Sequence, residues 1–186
     1  MQTENQWNFE QIYVTYFSKM KRFAQEYVQS GEEAENIVHD VFLELWERKE
    51  LLSYHINILA FLFTAIKNKC IDYLRHEIVV KEASNQMQEE FLLTMQMKYK
   101  SLELFDQNMF NEKDIEEILQ NAIQKLPDRC REIFIKSKIE GRKQKEIAVE
   151  LNISVNTVET QIGLAYKRLR EELKDFIPLI LFLLFL

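Results

Sequence analysis

Glycine, proline and cysteine are scarce in this chain of 186 residues, which contains 3 Gly, 2 Pro and 2 Cys. Turns between short strands rely on glycine and proline, and no segment alternates polar and apolar residues, so the sequence excludes a β-rich fold. Long segments instead repeat apolar residues at helical spacing. The sequence therefore predicts an all-α protein of two small helical domains joined by a flexible acidic linker.

Residues that commonly bind metals or carry catalysis are also sparse. The cysteines and histidines are isolated, and no pair has the spacing of zinc ligands. No nucleophile–base pair, paired carboxylates or glycine-rich loop is visible. The N-terminus has no basic segment followed by an apolar one, and two unpaired cysteines suit a reducing compartment. We expect a cytoplasmic protein with no cofactor, no metal and no enzymatic activity.

The net charge of −6 is distributed unevenly along the chain. Residues 67–76 carry 3 Lys and Arg against 1 acidic residue, and residues 118–175 carry 12 against 9. Residues 1–66 and 77–117 are acidic. Because phosphate is attracted by a local excess of cations and not by the total charge, the acidic balance does not exclude nucleic acid. These two basic segments are candidate nucleic-acid surfaces.

A helix-turn-helix pattern lies in residues 145–158. Ile147 begins an apolar face, and Ala148 is small where a second helix must cross closely. Asn152 suits the left-handed conformation of a sharp turn, and Ser154 can cap the second helix. Such a unit presents the polar face of its second helix to a DNA major groove. The alternative is an ordinary helical hairpin, since apolar spacing alone specifies only a packed pair.

Three blocks follow from the pattern. Residues 9–76 are predicted to form a helical domain whose first helix stops near Gly31, a natural C-terminal cap, and whose third helix runs to Leu74. Residues 77–114 are acidic and rich in Gln, Met and Asn, and we interpret them as a mobile linker. Residues 115–175 form the second helical domain.

The last segment, residues 176–186, is almost entirely apolar. It is well short of the roughly 20 residues that a membrane-spanning helix needs. Pro178 interrupts any continuation of the preceding helix, and the acidic Glu171, Glu172 and Asp175 are unfavourable near anionic lipid. Because so much exposed apolar surface promotes aggregation, we predict burial against the protein itself or a regulatory partner, without stable membrane insertion.

Three motifs, in this order, resemble those of the extracytoplasmic-function sigma factors of bacteria, the two-domain members of the sigma-70 family. Residues 33–46 resemble the helix that binds core RNA polymerase, and residues 61–75 resemble the helix that reads the −10 promoter element. Residues 126–134 resemble the start of the domain that reads the −35 element. The resemblance covers about residues 9–176. It implies that the first domain is sigma region 2 and the second is sigma region 4.

The resemblance implies three sets of functional residues. Contacts with core polymerase are expected from Asn36, His39, Asp40 and Trp46. Contacts with the −10 element are expected from Tyr54, His55, Lys67, Asn68, Lys69, Asp72 and Arg75. Contacts with the −35 element are expected from Arg142, Lys143, Asn156, Thr157, Glu159, Thr160, Gln161, Lys167, Arg168 and Arg170.

These residue types suit those tasks. Cations position the phosphate backbone, and Asn and Asp side chains can hydrogen-bond base edges. Opening a promoter requires trapping unstacked bases, and Tyr54 and His55 can stack on a flipped base.

Two departures from the family are visible: Asn36 and His39 replace its more usual Asp and Gln, and the recognition helix has few cations. The recognition-helix variant with Glu159 resembles the subgroup common in Bacteroidetes. Glu159 either accepts a hydrogen bond from cytosine N4 or caps the helix start.

Two functions follow. The first is a sigma factor that binds core RNA polymerase and directs promoter binding, melting and transcription initiation. Its expected partners are core polymerase, promoter DNA and an anti-sigma factor or another recruiting protein. The second is a stand-alone helix-turn-helix regulator whose N-terminal domain senses a ligand or partner. The polymerase-binding motif in residues 33–46, together with the basic helix in residues 67–75, favours the first, because a sensor domain needs neither.

Overall fold

The computed structural model describes residues 9–28, 30–48, 55–84, 89–107 and 112–186. Within these ranges the chain forms nine α-helices and one π-helical turn and no strand, so the all-α prediction is confirmed. The elements are α1 (Phe9–Gln25), α2 (Gly31–Glu47), α3 (His55–Ser84), α4 (Glu89–Gln107), α5 (Glu112–Gln124), α6 (Asp128–Phe134), the π turn (Ile135–Ile139), α7 (Gln144–Glu150), α8 (Val155–Glu172) and α9 (Ile177–Phe185).

The first two helices pack against each other through aromatic side chains. The ring of Phe42 on α2 lies 5.2 Å from that of Tyr13 and 5.7 Å from that of Phe17, both on α1. Ile12, Tyr16, Met20 and Phe23 recur at helical spacing along α1 and are all buried. This spacing of three to four residues is the pattern from which the helix was predicted.

The boundary between α1 and α2 differs from the prediction. Helix α1 ends at Gln25, and Gly31 is the first residue of α2 and not the cap of α1, so that part of the prediction is wrong. The reason is Ser30, whose side chain accepts hydrogen bonds from the N–H groups of Glu32 and Glu33 at 3.2 and 3.3 Å. A serine in extended conformation is a strong N-terminal cap, so α2 begins there.

Helix α3 is the longest helix in the described residues and continues beyond the predicted end at Leu74 to Ser84. Leu62, Ile66, Cys70 and Leu74 recur every four residues and are completely buried. Helices α1, α2, α4 and α5 all pack on α3. It is the central helix of the molecule.

The prediction of a mobile linker over residues 77–114 is not confirmed. Its first residues extend α3, and residues 89–107 form α4, which packs on α3 and α9. Met95 and Leu102 of α4 are buried. The leucines and aromatic residues of this acidic segment gave it enough apolar surface to fold onto the protein.

The second half of the chain contains the helix-turn-helix. Pro127 precedes α6, and Gly141, with φ of 67°, separates the π turn from α7. A small cluster of buried aliphatic side chains joins α6, α7 and α8. Its members are Ile133, Ile147, Ala148, Val158 and Ile162.

Helix α9 is not a continuation of α8. The recognition helix α8 ends at Glu172, and α9 starts at Ile177 with Pro178 in its first turn, where proline is tolerated. Helix α9 packs on α1, α4 and α8. Leu179 and Phe182 are completely buried, so the predicted burial of the apolar tail against the protein itself is confirmed. No helix in the described part of the chain combines the length and apolar character needed to cross a membrane.

Candidate functional site

The four residues predicted to contact core polymerase lie on the exposed side of α2. Asn36, His39, Asp40 and Trp46 are all exposed, whereas Ile37, Val38, Val41 and Leu45 on the opposite side are buried. Leu43 was not predicted from the sequence, although its exposed fraction is 61% and that of its neighbour Trp46 is 52%. Large apolar side chains left exposed on a regular helix are typical of a protein-binding surface.

Aromatic residues of α1 hold two of these side chains in place. The His39 ring lies 4.7 Å from the ring of Phe17, and its Nε2 atom is 3.3 Å from the hydroxyl of Tyr13. The Trp46 indole packs edge-on against Phe9, with ring centroids 4.9 Å apart. The outer side of α2 is therefore supported by the start of α1, a contact between residues distant in the sequence.

An ion-pair network joins the polymerase-binding and −10 sets. The Lys69 ammonium lies 3.4 Å from Asp40 Oδ2 and 3.2 Å from Glu44 Oε1. Partial burial alone would lower the pKa of Lys69, but the hydrogen bonds and charges of Glu44 and Asp40 outweigh it and raise the pKa. Lys69 is thus a cation at neutral pH, and its charge is directed at α2.

The remaining −10 residues are only partly where the sequence placed them. Asn68 and Asp72 are exposed, and Arg75 Nη1 lies 3.3 Å from Asp72 Oδ1 and over the ring of Tyr99. Lys67 is only 3% exposed, so its predicted place on the polar face of α3 is wrong. Because four helices pack on α3, more of its circumference is buried than the polar pattern predicted. The predictions for Tyr54 and for the His55 side chain lie outside the described residues.

The turn of the helix-turn-helix has the predicted geometry. Asn152 adopts a φ of 51°, the left-handed conformation that Asn tolerates better than most residues. Ser154 then caps α8 by accepting a hydrogen bond from the Thr157 N–H at 3.0 Å. Val158 and Ile162 face α7 and are buried. The polar side of α8 is therefore held outward by its own small core.

The side chains on that polar side differ in how available they are. Asn156 and Glu159 are exposed, and Gln161 is half-buried. The Thr160 hydroxyl donates to the Asn156 carbonyl at 2.8 Å, and the Thr157 hydroxyl lies 2.8 Å from that of Ser154. Both threonines thus use their hydroxyl groups within α8, which leaves their methyl groups for contact with a neighbouring surface.

The cations of this region fall into two groups. Arg142 is ion-paired with Glu150, which also accepts a hydrogen bond from Lys136 at 2.7 Å. These hydrogen bonds, that of Lys136 first, lower the pKa of Glu150. Lys143 is exposed before α7. The exposed cations near the end of α8 have no carboxylate partner among the described residues; they are Lys167, Arg168 and Arg170.

Sequence comparison identifies the family. A family model described as Sigma-70 region 2 matches residues 12–77, and one described as Sigma-70, region 4, matches residues 116–169. The first match contains α2 and most of α1 and α3, and the second contains the helix-turn-helix. The chain belongs to the sigma-70 family. The two matches lie in the family's own order, so this sigma factor carries both regions on one chain.

Three curated relatives agree with this result. The chain is 24% identical to the ferric citrate uptake sigma factor FecI of Escherichia coli, over 84% of this chain and 86% of the relative. It is 23% identical to the ECF RNA polymerase sigma factor SigW of Bacillus subtilis, over 90% and 89%. It is 21% identical to the ECF RNA polymerase sigma factor RpoE of Cereibacter sphaeroides, over 89% and 86%. The chain is an extracytoplasmic-function sigma factor, and a stand-alone regulator is not favoured.

Proposed function

We propose that this sigma factor binds core RNA polymerase through the outer side of α2 and initiates transcription without catalysis of its own. The observation that carries the proposal is the pair of large apolar side chains, Leu43 and Trp46, left exposed beside Asn36, His39 and Asp40. An apolar centre with a polar rim is the usual anatomy of a protein–protein interface. The resemblance of residues 33–46 to the family's polymerase-binding helix supports the same assignment.

The charge on this surface suggests the chemistry of its partner. Asp40 and Glu44 are both exposed carboxylates, and Lys69 neutralises them only in part. Such a surface favours a basic residue on the partner and disfavours an acidic one. We therefore infer that Asp40 pairs with a cation of core polymerase once the two proteins meet.

We further propose a division of DNA recognition between α3 and α8. Residues 9–76 would bind and open the −10 element, with Asn68 and Asp72 contacting bases. Residues 115–175 would read the −35 element, with Gln161 contacting a base edge and the cations at the end of α8 contacting phosphate. Ser154 already caps α8, and Glu159 lies exposed in its second turn, which supports the base-contact alternative for Glu159.

The cellular setting is also a proposal. A sigma factor works where core polymerase and the chromosome are, so we place this protein in the cytoplasm. We propose that an anti-sigma factor or another recruiting protein controls it. The subgroup common in Bacteroidetes remains a resemblance carried by Glu159.

The test is reconstitution with core RNA polymerase followed by sequencing of transcript starts. The wild-type chain should co-purify with the polymerase and direct initiation from a restricted set of promoters. Asp40→Arg combined with Trp46→Ala should abolish co-purification, while circular dichroism shows that helicity is kept. Glu26→Arg makes the same charge reversal on the exposed turn after α1, outside the proposed binding side of α2, and should bind like wild type.

Because Trp46 is half exposed, its truncation should cost less than the roughly 3–5 kcal/mol of a fully buried aromatic residue. Loss of binding in the double variant would then reflect lost contacts with polymerase and not unfolding of the protein. Undiminished association with polymerase would refute the assignment of α2.

A further inference from the structure

The apolar C-terminal helix α9 fills a pocket made by aromatic residues of the first region. Phe182 is completely buried, and its ring lies 5.3 Å from that of Phe23 on α1 and 5.3 Å from that of Phe63 on α3. Both contacts are edge-to-face, the arrangement that aromatic pairs prefer. Leu179, next along the same side of α9, is also completely buried. This end of the chain is therefore anchored on α1 and α3.

The other side of α9 contacts the recognition helix. The Tyr166 hydroxyl on α8 donates a hydrogen bond to the Leu183 carbonyl at 3.3 Å. The Tyr166 ring packs edge-on against Phe134, and the Lys138 ammonium lies 5.5 Å from its centroid. Burial raises the pKa of Tyr166 to about 12. Although α8 is the recognition helix, this residue points toward the tail.

The helix-turn-helix makes few direct contacts with the first region, whereas α5 of the second region packs on α3. The Tyr16 hydroxyl on α1 donates to the Ile139 carbonyl, and Gly141 approaches Thr15 so closely that a β-carbon would lie 2.8 Å from its methyl carbon. Lys19 on α1 and Lys138 of the π turn both have lowered pKa values. For Lys19, burial is the larger cause and the charge of Lys138 the second. The two lysine charges oppose this contact, and α9 adds a second connection between α1 and α8.

This closed arrangement conflicts with reading two promoter elements at once. The names −10 and −35 imply about 25 base pairs between element centres, which is roughly 85 Å of B-form DNA. Helix α9 contacts both α1 and α8, so the axes of α1 and α8 lie within about two helix diameters, roughly 20 Å. The helix-turn-helix must therefore move away from the first region before α3 and α8 can occupy both elements.

We propose that α9 is an intramolecular strap that holds the helix-turn-helix of sigma region 4 against region 2 in the free protein and is released when the chain engages polymerase and promoter. The consequence for polymerase rests on the proposed function, whereas the strap itself is a property of the free chain. The strap is attached at two points. The Phe182 ring lies in the aromatic pocket, and the Leu183 carbonyl accepts the hydrogen bond of Tyr166.

The test compares two substitutions in the same helix. Phe182→Asp places a charge in the aromatic pocket, whereas Leu184→Asp places the same charge on the exposed side of α9. Small-angle X-ray scattering of the purified full-length chains should give a radius of gyration near the compact value of about 16 Å for wild type and Leu184→Asp. Phe182→Asp should exceed about 20 Å, with helicity by circular dichroism unchanged. An unchanged radius in Phe182→Asp would overturn the strap.

A second variant covers the case in which the charge unfolds the protein. Phe182→Ala removes the ring without adding charge, and the same increase in radius is expected for a chain that keeps its helicity. A folded, compact Phe182→Ala chain would count against the strap as directly as a compact Phe182→Asp chain.

Binding to core polymerase supplies the functional measurement. When only a fraction of a protein is competent to bind, its apparent affinity falls by that fraction, so releasing the strap should tighten binding. We expect at least about a tenfold lower Kd for Phe182→Asp than for wild type, and no change for Leu184→Asp. Equal affinities would refute the restraint on polymerase binding. If no chain binds polymerase, the proposed function is wrong and the scattering result alone decides the strap.

Discussion

The start of the recognition helix and the region around α3 are stabilised by different hydrophobic cores. The helix-turn-helix has a small aliphatic cluster of its own, centred on Ile147, Val158 and Ile162. The region around α3 shares a large cluster that contains many aromatic residues and draws on α1, α2, α4, α5 and α9, and also on Ala165 and Leu169 in the second half of α8. The geometry of the first half of α8 therefore depends mainly on residues near it in the sequence. The surroundings of α3 depend on helices from the whole chain.

The cationic side chains of the two regions also differ in how far they are engaged by other parts of the protein. Near the end of α8, Lys167, Arg168 and Arg170 are exposed without acidic partners among the described residues. On α3, Lys67 is buried and Lys69 is paired with Asp40 and Glu44. The helix-turn-helix can thus meet phosphate as it stands, whereas α3 must exchange contacts first. Helix α8 therefore begins promoter binding with exposed cations, whereas α3 begins it with Lys67 buried and Lys69 paired.

The largest effect should come from the shared aromatic core. Phe63→Ala should lower the free energy of unfolding by roughly 3–5 kcal/mol, the usual loss for a buried aromatic residue. The control, Val79→Ala, lies on the same helix at an exposed position and should stay within about 0.5 kcal/mol of wild type. Urea unfolding followed by circular dichroism measures both. A loss of under about 1 kcal/mol in Phe63→Ala would show that the shared core is not the main source of stability.

DNA binding by α8 should show a smaller effect that separates base reading from phosphate contact. Gln161→Ala should lose about 1–3 kcal/mol of discrimination at one base position of the −35 element. Lys167→Ala should weaken binding uniformly across sequences and reduce the slope of log affinity against log salt by about 1. Titrations of holoenzyme on −35 variants at several salt concentrations measure both quantities. If Gln161→Ala behaves like Lys167→Ala, α8 contacts only the backbone.

The independence of the helix-turn-helix can be tested at its turn. Asn152→Ala forces a residue with a β-carbon and no polar compensation into the left-handed region, and it should cost about 1 kcal/mol. Asn152→Gly relieves that strain and should cost less, although glycine adds entropy to the unfolded chain. Thermal unfolding measures both variants. A larger loss in the glycine variant than in the alanine variant would contradict the strain argument.

The smallest effect concerns pH and the contact between the two regions. Burial, followed by the charge of Lys138, lowers the pKa of Lys19 from 10.5 to about 8. Between these two values the unfolded chain binds more protons at Lys19 than the folded chain, so the contribution of Lys19 to stability should rise as pH increases from about 8 to 10.5. The buried Cys70 thiol, whose pKa is raised to about 12, contributes in the opposite direction above about pH 9.

Lys19→Met should be more stable than wild type at pH 7 and should show a smaller rise in Tm above pH 8. The slope that remains includes Lys138, whose pKa is also lowered. A wild-type Tm that falls steadily from pH 8 to 9.5, with Lys19→Met following the same curve, would contradict the burial of this charge.

The sequence by itself determined the elements whose stabilising contacts are local. The cap at Ser154 and the turn at Asn152 depend on residues within about one helical turn of each other, and the cluster of the helix-turn-helix lies within residues 133–162. All of these features were predicted. The exposed side of α2 was predicted for the same reason, since amphipathic spacing fixes which side is buried. The mistaken end of α1 at Gly31 shows the limit of this reasoning. Ser30 and Gly31 are adjacent, and either can mark a boundary.

Only the tertiary structure decided which surfaces are covered by distant helices. The burial of Lys67, the helical packing of the acidic segment and the pairing of Lys69 with Asp40 arise from helices that are far apart in the sequence. The sequence predicted that the tail is buried but not where it binds. Periodicity predicts which side of a helix is apolar, but it does not predict which helices that side packs against. For α9, the partner is the cavity that the Phe182 ring fills. That cavity exists only after α1 and α3 have packed.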